Sequence, residues 1–148
     1  MNKTSFMGIT ILALIFASAV ATTAEPTLKE IMQGLRDNTV DVADGLLTDN
    51  FEKVAIGARA IAEHPQIPAA QVQLVAAELG PEMAAFKQLD NVVHDLSLEI
   101  SAAATALDRN AAISSYQRIV EGCFDCHRTY KERVAAVLRP EPEPQSAL

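Results

Sequence analysis

Residues 80–107 read GPEMAAFKQLDNVVHDLSLEISAAATAL, and within them Phe86, Leu89, Val93, Leu96, Ile100, Ala103 and Leu107 recur at alternating spacings of three and four. An apolar stripe with a mean spacing near 3.5 residues marks a helix packed almost parallel or antiparallel to its neighbours. Pro81, directly after Gly80, suits the first helical position, where its missing N–H is no loss.

The pattern continues on both sides. After Asp108, Arg109 and Asn110 a further seam runs through Ile113, Tyr116, Val120, Cys123, His127, Tyr130, Val134 and Val137. Upstream, Pro26 precedes Thr27 and Glu30 at capping-box spacing, and Leu28, Met32, Leu35, Val42 and Leu46 form an apolar stripe. Asp49 to Glu52 marks another helix start, with Phe51, Val54, Ala58, Ile61 and Ala62 inside and His64-Pro65 closing it. Residues 65–80 hold Pro65, Pro68 and Gly80 and are expected to be a longer connection with a helical turn around Val72–Leu79. Short connections within two hairpins and a longer one between them predict an all-α fold, an antiparallel four-helix bundle over residues 25–138. Sparse glycine and abundant Ala, Leu, Val, Glu and Asp agree with it.

The two ends read differently. Lys3 followed by the apolar run 7–21 and small residues has the pattern of a secretory signal peptide over 1–24, with cleavage after Ala21 or Ala24. The run is short for a membrane span, which needs about 20 residues, so the mature chain is expected to be exported to the periplasm and not inserted in a membrane. At the other end, residues 139–148 alternate proline and glutamate and are expected to be disordered. The formal net charge is -7, and removing the signal takes away one further positive charge, Lys3, leaving -8. Such an acidic balance disfavours nucleic acid and anionic membranes and leaves a protein partner as the expectation.

The only two cysteines stand together in Glu121-Gly-Cys-Phe-Asp-Cys-His127. On a helix Cys123, Cys126 and His127 project within an arc of about 100°. A thioredoxin-like dithiol needs a preceding strand, which is missing here. A structural zinc site needs four ligands, and neither His64 nor His94 has a familiar spacing to the motif. A disulfide within one helical turn is strained and leaves His127 without a role. The spacing C-x-x-C-H is that of covalent haem c: the thiols add across the two vinyl groups and the adjacent imidazole becomes an axial ligand of the iron. Export agrees with this, since such haem is attached outside the cytoplasm.

A single C-x-x-C-H near the carboxyl end, followed by Tyr130 and Lys131 on the last helix of a bundle, resembles the cytochrome c prime family. The resemblance extends over about Thr27–Leu138, but its one sharp motif is the set Cys123, Cys126, His127 and Tyr130. It implies one haem enclosed between the first and last helices. Leu28, Ile31, Leu35, Phe86, Leu89 and Tyr130 are then candidates for the pocket wall, though each also suits plain core. Lys131 stands where the family usually has arginine, which keeps the charge and loses a bidentate hold on the haem propionates. Relatives with a methionine early in the first helix are six-coordinate, low-spin electron carriers, and Met32 is where the resemblance puts that ligand. Members with an apolar distal residue are five-coordinate and bind nitric oxide or carbon monoxide. Met32 is open to both readings, because a methionine on an apolar stripe also serves as core filling.

The expected function is therefore electron transfer to an unidentified redox partner, with His127 and Met32 as axial ligands, and gas binding as the alternative. Enzymatic catalysis is not expected, since the distal helix offers no acid–base group on its seam. His94 is expected to flank the core and His64 to complement a helix dipole. Family members often pair through their first two helices, where Val40, Leu47 and Ala60 are candidate homodimer contacts.

Overall fold

The computed structural model describes residues 25–139, so the expected signal peptide and nearly all of the expected disordered tail lie outside it. Among these residues every regular element is helical: α1 (Leu28–Leu47), α2 (Phe51–Ala62), α3 (Ala69–Leu79), α4 (Met83–Thr105) and α5 (Arg109–Val137), with a 3-10 turn at Gly80–Glu82 leading into α4. No described helix is long and apolar enough to cross a membrane.

Side-chain caps set the starts of α1, α2 and α5. Glu30 N–H donates to Thr27 Oγ1 and Thr27 N–H donates to Glu30 Oε2, completing the predicted capping box at α1. Asn50 caps α2 by accepting from Lys53 N–H, and Asp108 caps α5 by accepting from Ala111 N–H. The turns after α1 and α4 each place a residue in the left-handed region, Asp49 at φ 56° and Leu107 at φ 57°. Leu107 was expected on the apolar stripe; it is exposed, because the left-handed turn carries it off the helix. Arg109 ties the two turns together, pairing with Asp49 and lying 5.3 Å from the centroid of the Phe51 ring. Its guanidinium holds the Asp49 carboxyl below the usual carboxylate range by hydrogen bonding.

The main core joins α1, α2, α4 and α5 through Val42, Val54, Ala58, Ile61, Leu96, Ile100, Ala104 and Ile119. Three interfaces are close. Between α1 and α2, Gly45 backs onto Val54, Gly57 backs onto Asn38 and Val42, and Lys53 Nζ reaches Asp44 and Asp41 at 2.9 and 3.0 Å. Between α2 and α4, Ser101 Oγ donates to Ala55 O at 3.2 Å. Between α4 and α5, Ser115 donates to Glu99 at 3.0 Å, Gly122 faces Val93, and Tyr130 meets Phe86 edge-on at 5.4 Å. By contrast α1 and α5 approach each other closely at few points. Among the described residues no buried side-chain polar atom lacks a partner.

Two expectations need correction. The middle connection holds an eleven-residue helix, α3, where one turn was expected; Pro68 opens it and Gly80 at φ 49° ends it. The buried seam of α5 runs through Ala112, Ser115, Ile119, Gly122, Tyr130 and Val134, not through Ile113, Val120 and His127. Small residues let α4 approach there, so the helix turns its smallest face inward and part of the apolar stripe outward.

The glycines supply a test. An added Cβ at Gly45 would meet Val54 Cγ2 at 2.8 Å and Asn50 O at 2.9 Å, whereas at Gly34 nothing lies within 4 Å. Gly45→Ala is expected to destabilise by about 1–3 kcal/mol through overpacking. Gly34→Ala is expected to stabilise by about 0.5–1 kcal/mol through helix propensity. Denaturant unfolding of the two variants measures both.

Candidate functional site

At the end of the bundle where α1 begins, a second apolar cluster gathers Leu28 of α1, Val75 and Leu79 of α3, and Tyr130 and Val134 of α5. Ile67, Met83, Phe86, Leu89, Cys126 and Leu138 pack against it. Four of the predicted pocket residues, Leu28, Phe86, Leu89 and Tyr130, are thus brought together beside Cys126. Ile31 and Leu35 lie elsewhere. They line a cleft of about 410 Å³ between α1 and the end of α2, which also includes Ala60 and His64 and reaches neither cysteine.

Both cysteines are free thiols and half-buried. Burial pushes both thiols above their ordinary range, and for Cys126 the Asp90 carboxylate adds to the effect. Thiolates are therefore disfavoured at neutral pH, the reverse of what a dithiol oxidoreductase requires of its attacking cysteine. Neutral thiols beside an apolar wall suit an apolar, covalently held group.

His127 is exposed, where the seam had placed it inside. The inward turn of Gly122 and Ser115 leaves Cys123 and Cys126 half-buried and turns the imidazole outward. Met32 is likewise shifted outward, 37% exposed, while Ile31 takes the buried position. Taking 100° per residue, Met32 lies about 130° round α1 from the residues that touch α2. His127 lies about 110° round α5 from the mean direction of Ser115, Gly122 and Tyr130, which touch α4. Both side chains are thus on flanks turned away from their hairpin neighbours. They stay near one cluster: Met32 is one turn beyond Leu28, and His127 is one turn before Tyr130.

The remaining candidates have ordinary surroundings. Lys131 is exposed. His94 is exposed beside Asp95, with Nδ1 at 3.1 Å from Oδ1. His64 donates from Nδ1 to Pro65 O at 2.7 Å, and Arg59 is the basic residue in the last turn of α2. Val40 and Leu47 are exposed on α1. Among the described residues no three His, Cys, Asp or Glu side chains form a metal-sized group. A haem iron draws only two ligands from protein side chains, so it needs no such group.

Sequence reasoning missed Gln71, Glu78, Glu82 and Arg133, which hold α3 against this cluster. The i, i+4 pair Val75 and Leu79 was the available signal. Phe124, 71% exposed next to Cys123, was not singled out by the periodic pattern either. Comparison with protein-family models, curated proteins and solved structures gives no match.

The thiol environment is testable in polypeptide made without haem attachment. Because burial raises both pKa values, alkylation by iodoacetamide at pH 7 should be slower than for an unstructured C-x-x-C-H peptide. The rate should climb only as pH passes above the ordinary cysteine range, as a pH–rate profile will measure.

Proposed function

We propose that the chain is an exported monohaem c-type cytochrome of the cytochrome c prime kind, an electron carrier and not an enzyme. The observation that carries this reading is the motif Cys123, Cys126 and His127 on one arc of α5, with the cysteines half-buried, His127 exposed, and Cys126 packed against the cluster of Leu28, Phe86, Leu89 and Tyr130. The donor set fits the group: two neutral thiols at thioether spacing, an adjacent imidazole, and a thioether sulfur on the helix across the cluster.

The bundle in this reading is antiparallel. Along α1 and α2, and again along α4 and α5, partner numbers fall on one helix as they rise on the other: Ser115 with Glu99, Gly122 with Val93, Tyr130 with Phe86. Leu28 then lies opposite Tyr130 and Val134, which brings Met32 to the level of His127 across the sparsely packed side between α1 and α5. The haem occupies that side.

Haem c, when bound, supplies an Fe(III)/Fe(II) couple. Cys123 and Cys126 tether it, His127 holds the proximal position and Met32 the distal one. The apolar wall from Leu28 to Phe86 limits water near the iron and favours the reduced form. Lys131, on an exposed flank of α5, offers a single charge to the propionates. The protein partner is met through the exposed edge around Phe124, and the signal peptide at 1–24 directs the chain to the periplasm.

One observation favours a second reading. Met32 is 37% exposed and is not wedged by packing, so it is a displaceable ligand, and displacement yields a five-coordinate site for nitric oxide or carbon monoxide.

Absorption spectroscopy and intact mass test the proposal. Protein made in a host competent for cytochrome maturation should carry one covalent haem, be low-spin in both oxidation states and bind carbon monoxide slowly. Met32→Ala should give a high-spin protein that binds the gas at once, with the haem still attached. Cys123→Ala or Cys126→Ala should lower covalent attachment. A colourless product of apoprotein mass overturns the proposal.

A further inference from the structure

α3 touches both of the helices that carry the proposed ligands, at the end of the bundle where little else joins them. On the α1 side, Leu28 N–H donates to Gln71 Oε1 at 2.7 Å, satisfying one of the first-turn amides that no intrahelical carbonyl can reach. On the α5 side a single guanidinium makes three contacts. Arg133 Nε donates to Glu78 Oε1 at 3.0 Å, Nη1 to Glu82 Oε1 at 2.9 Å, and Nη2 to Glu78 O at 3.3 Å. Between these two ties Val75 and Leu79 are buried among Leu28, Tyr130 and Val134. The carbonyl of Glu78 belongs to the last turn of α3, so Arg133 also closes a helix end.

We infer that α3 is a brace that sets the separation of α1 and α5, with Gln71 and Arg133 as positioning residues for Met32 relative to His127. The inference rests on the Met32 and His127 ligation proposed above. Met32 is too exposed for its own packing to hold it, so its place is dictated by the α1 backbone. Among the described residues, the only side-chain bond from outside α1 and its cap to the first turn is the one from Gln71 to Leu28, one turn before Met32. Arg133 stands less than two turns beyond His127 on α5. Loosening either tie lets the helices part and lowers the occupancy of the distal position, which converts a carrier into a gas-binding form. The Arg133 contacts are half-exposed, and such pairs weaken as salt rises.

The test uses the full-length holoprotein and the variants Gln71→Leu, Gln71→Glu and Arg133→Gln. Gln71→Leu removes the acceptor. Gln71→Glu keeps it and adds a negative charge that a helix N-terminus favours. Spin state and carbon monoxide binding report the distal position, and amide hydrogen exchange over residues 28–33 reports the first turns of α1 independently of the haem. One net hydrogen bond corresponds to about a tenfold change in equilibrium. Gln71→Leu and Arg133→Gln should therefore raise carbon monoxide binding and exchange over 28–33 about tenfold, with high-spin signal appearing. Gln71→Glu should stay like the wild type. Raising salt from about 0.05 M to about 1 M should move the wild type in the same direction and leave Arg133→Gln unmoved. If both disruptive variants keep the wild-type spectrum and gas binding while α3 exchanges faster, α3 is only a structural cover and the brace is overturned, with Met32 ligation intact. A wild type already high-spin overturns the ligation reading, and the brace with it.

Discussion

Close approach of helix backbones along three of the four sides of the bundle is the constraint on which the rest of the structure depends. Gly45 and Gly57 bring α1 against α2, and Gly122 with Ser115 and Ala112 brings α4 against α5. A helix that turns its smallest face to one neighbour must turn its larger side chains elsewhere. On α5 these are Tyr116, Val120 and Cys123, which reach the interior from an oblique angle, and Phe124 and His127, which do not enter it. The fourth side, between α1 and α5, therefore has no small-residue seam to close it. It is held at one end by the turns tied through Arg109 and at the other by α3.

That arrangement bears on where the chemistry-bearing residues lie in the chain. Met32, Cys123, Cys126 and His127 belong to the two helices whose mutual contact is sparse, and the apolar cluster at the α3 end packs against Cys126. Burial suppresses thiolate at both cysteines, so the pair is poorly suited to attack a disulfide at neutral pH. The same burial keeps apolar surface next to the sulfurs. Chemistry that consumes neutral thiols and leaves apolar thioethers is compatible with this environment, whereas chemistry that cycles through charged sulfur is not.

Much of this was legible in the sequence because it depends on short-range rules. The capping box at Thr27 and Glu30, the turn at Asp108 and the stripe from Phe86 to Ile100 each involve residues within a few turns of one another. What was not legible depends on which face is chosen. A stripe of apolar residues fixes the side of the helix only to within about one residue, since each residue turns it by about 100°. Ile113 and Val120 looked as good as Ala112 and Ile119, and the small residues Ser115 and Gly122 at the close interface with α4 decided between them. α3 was underestimated because Pro68 and Gly80 bracket it and it has no side-chain cap. Its fixing partners, Gln71 with Leu28 and Arg133 with Glu78 and Glu82, lie 43 to 55 positions apart in sequence, beyond any local pattern.

The exposure of His127 and Met32 has a consequence for how function and stability are divided. An imidazole buried without a partner would tax the fold by several kcal/mol, and its replacement would repack the core. Turned outward, it does neither. The helices are held by Val42, Ile100, Ile119 and Leu79, all of them almost fully buried. The ligand candidates contribute little to that packing, so their geometry is inherited from backbones that other residues position. In the proposed reading such a site is tuned through its supports: the acceptor of Gln71 and the three contacts of Arg133 set the spacing of α1 and α5 without changing a ligand. On that proposal the same frame would serve either a closed, six-coordinate carrier or an open, gas-accessible site, according to how firmly its fourth side is braced.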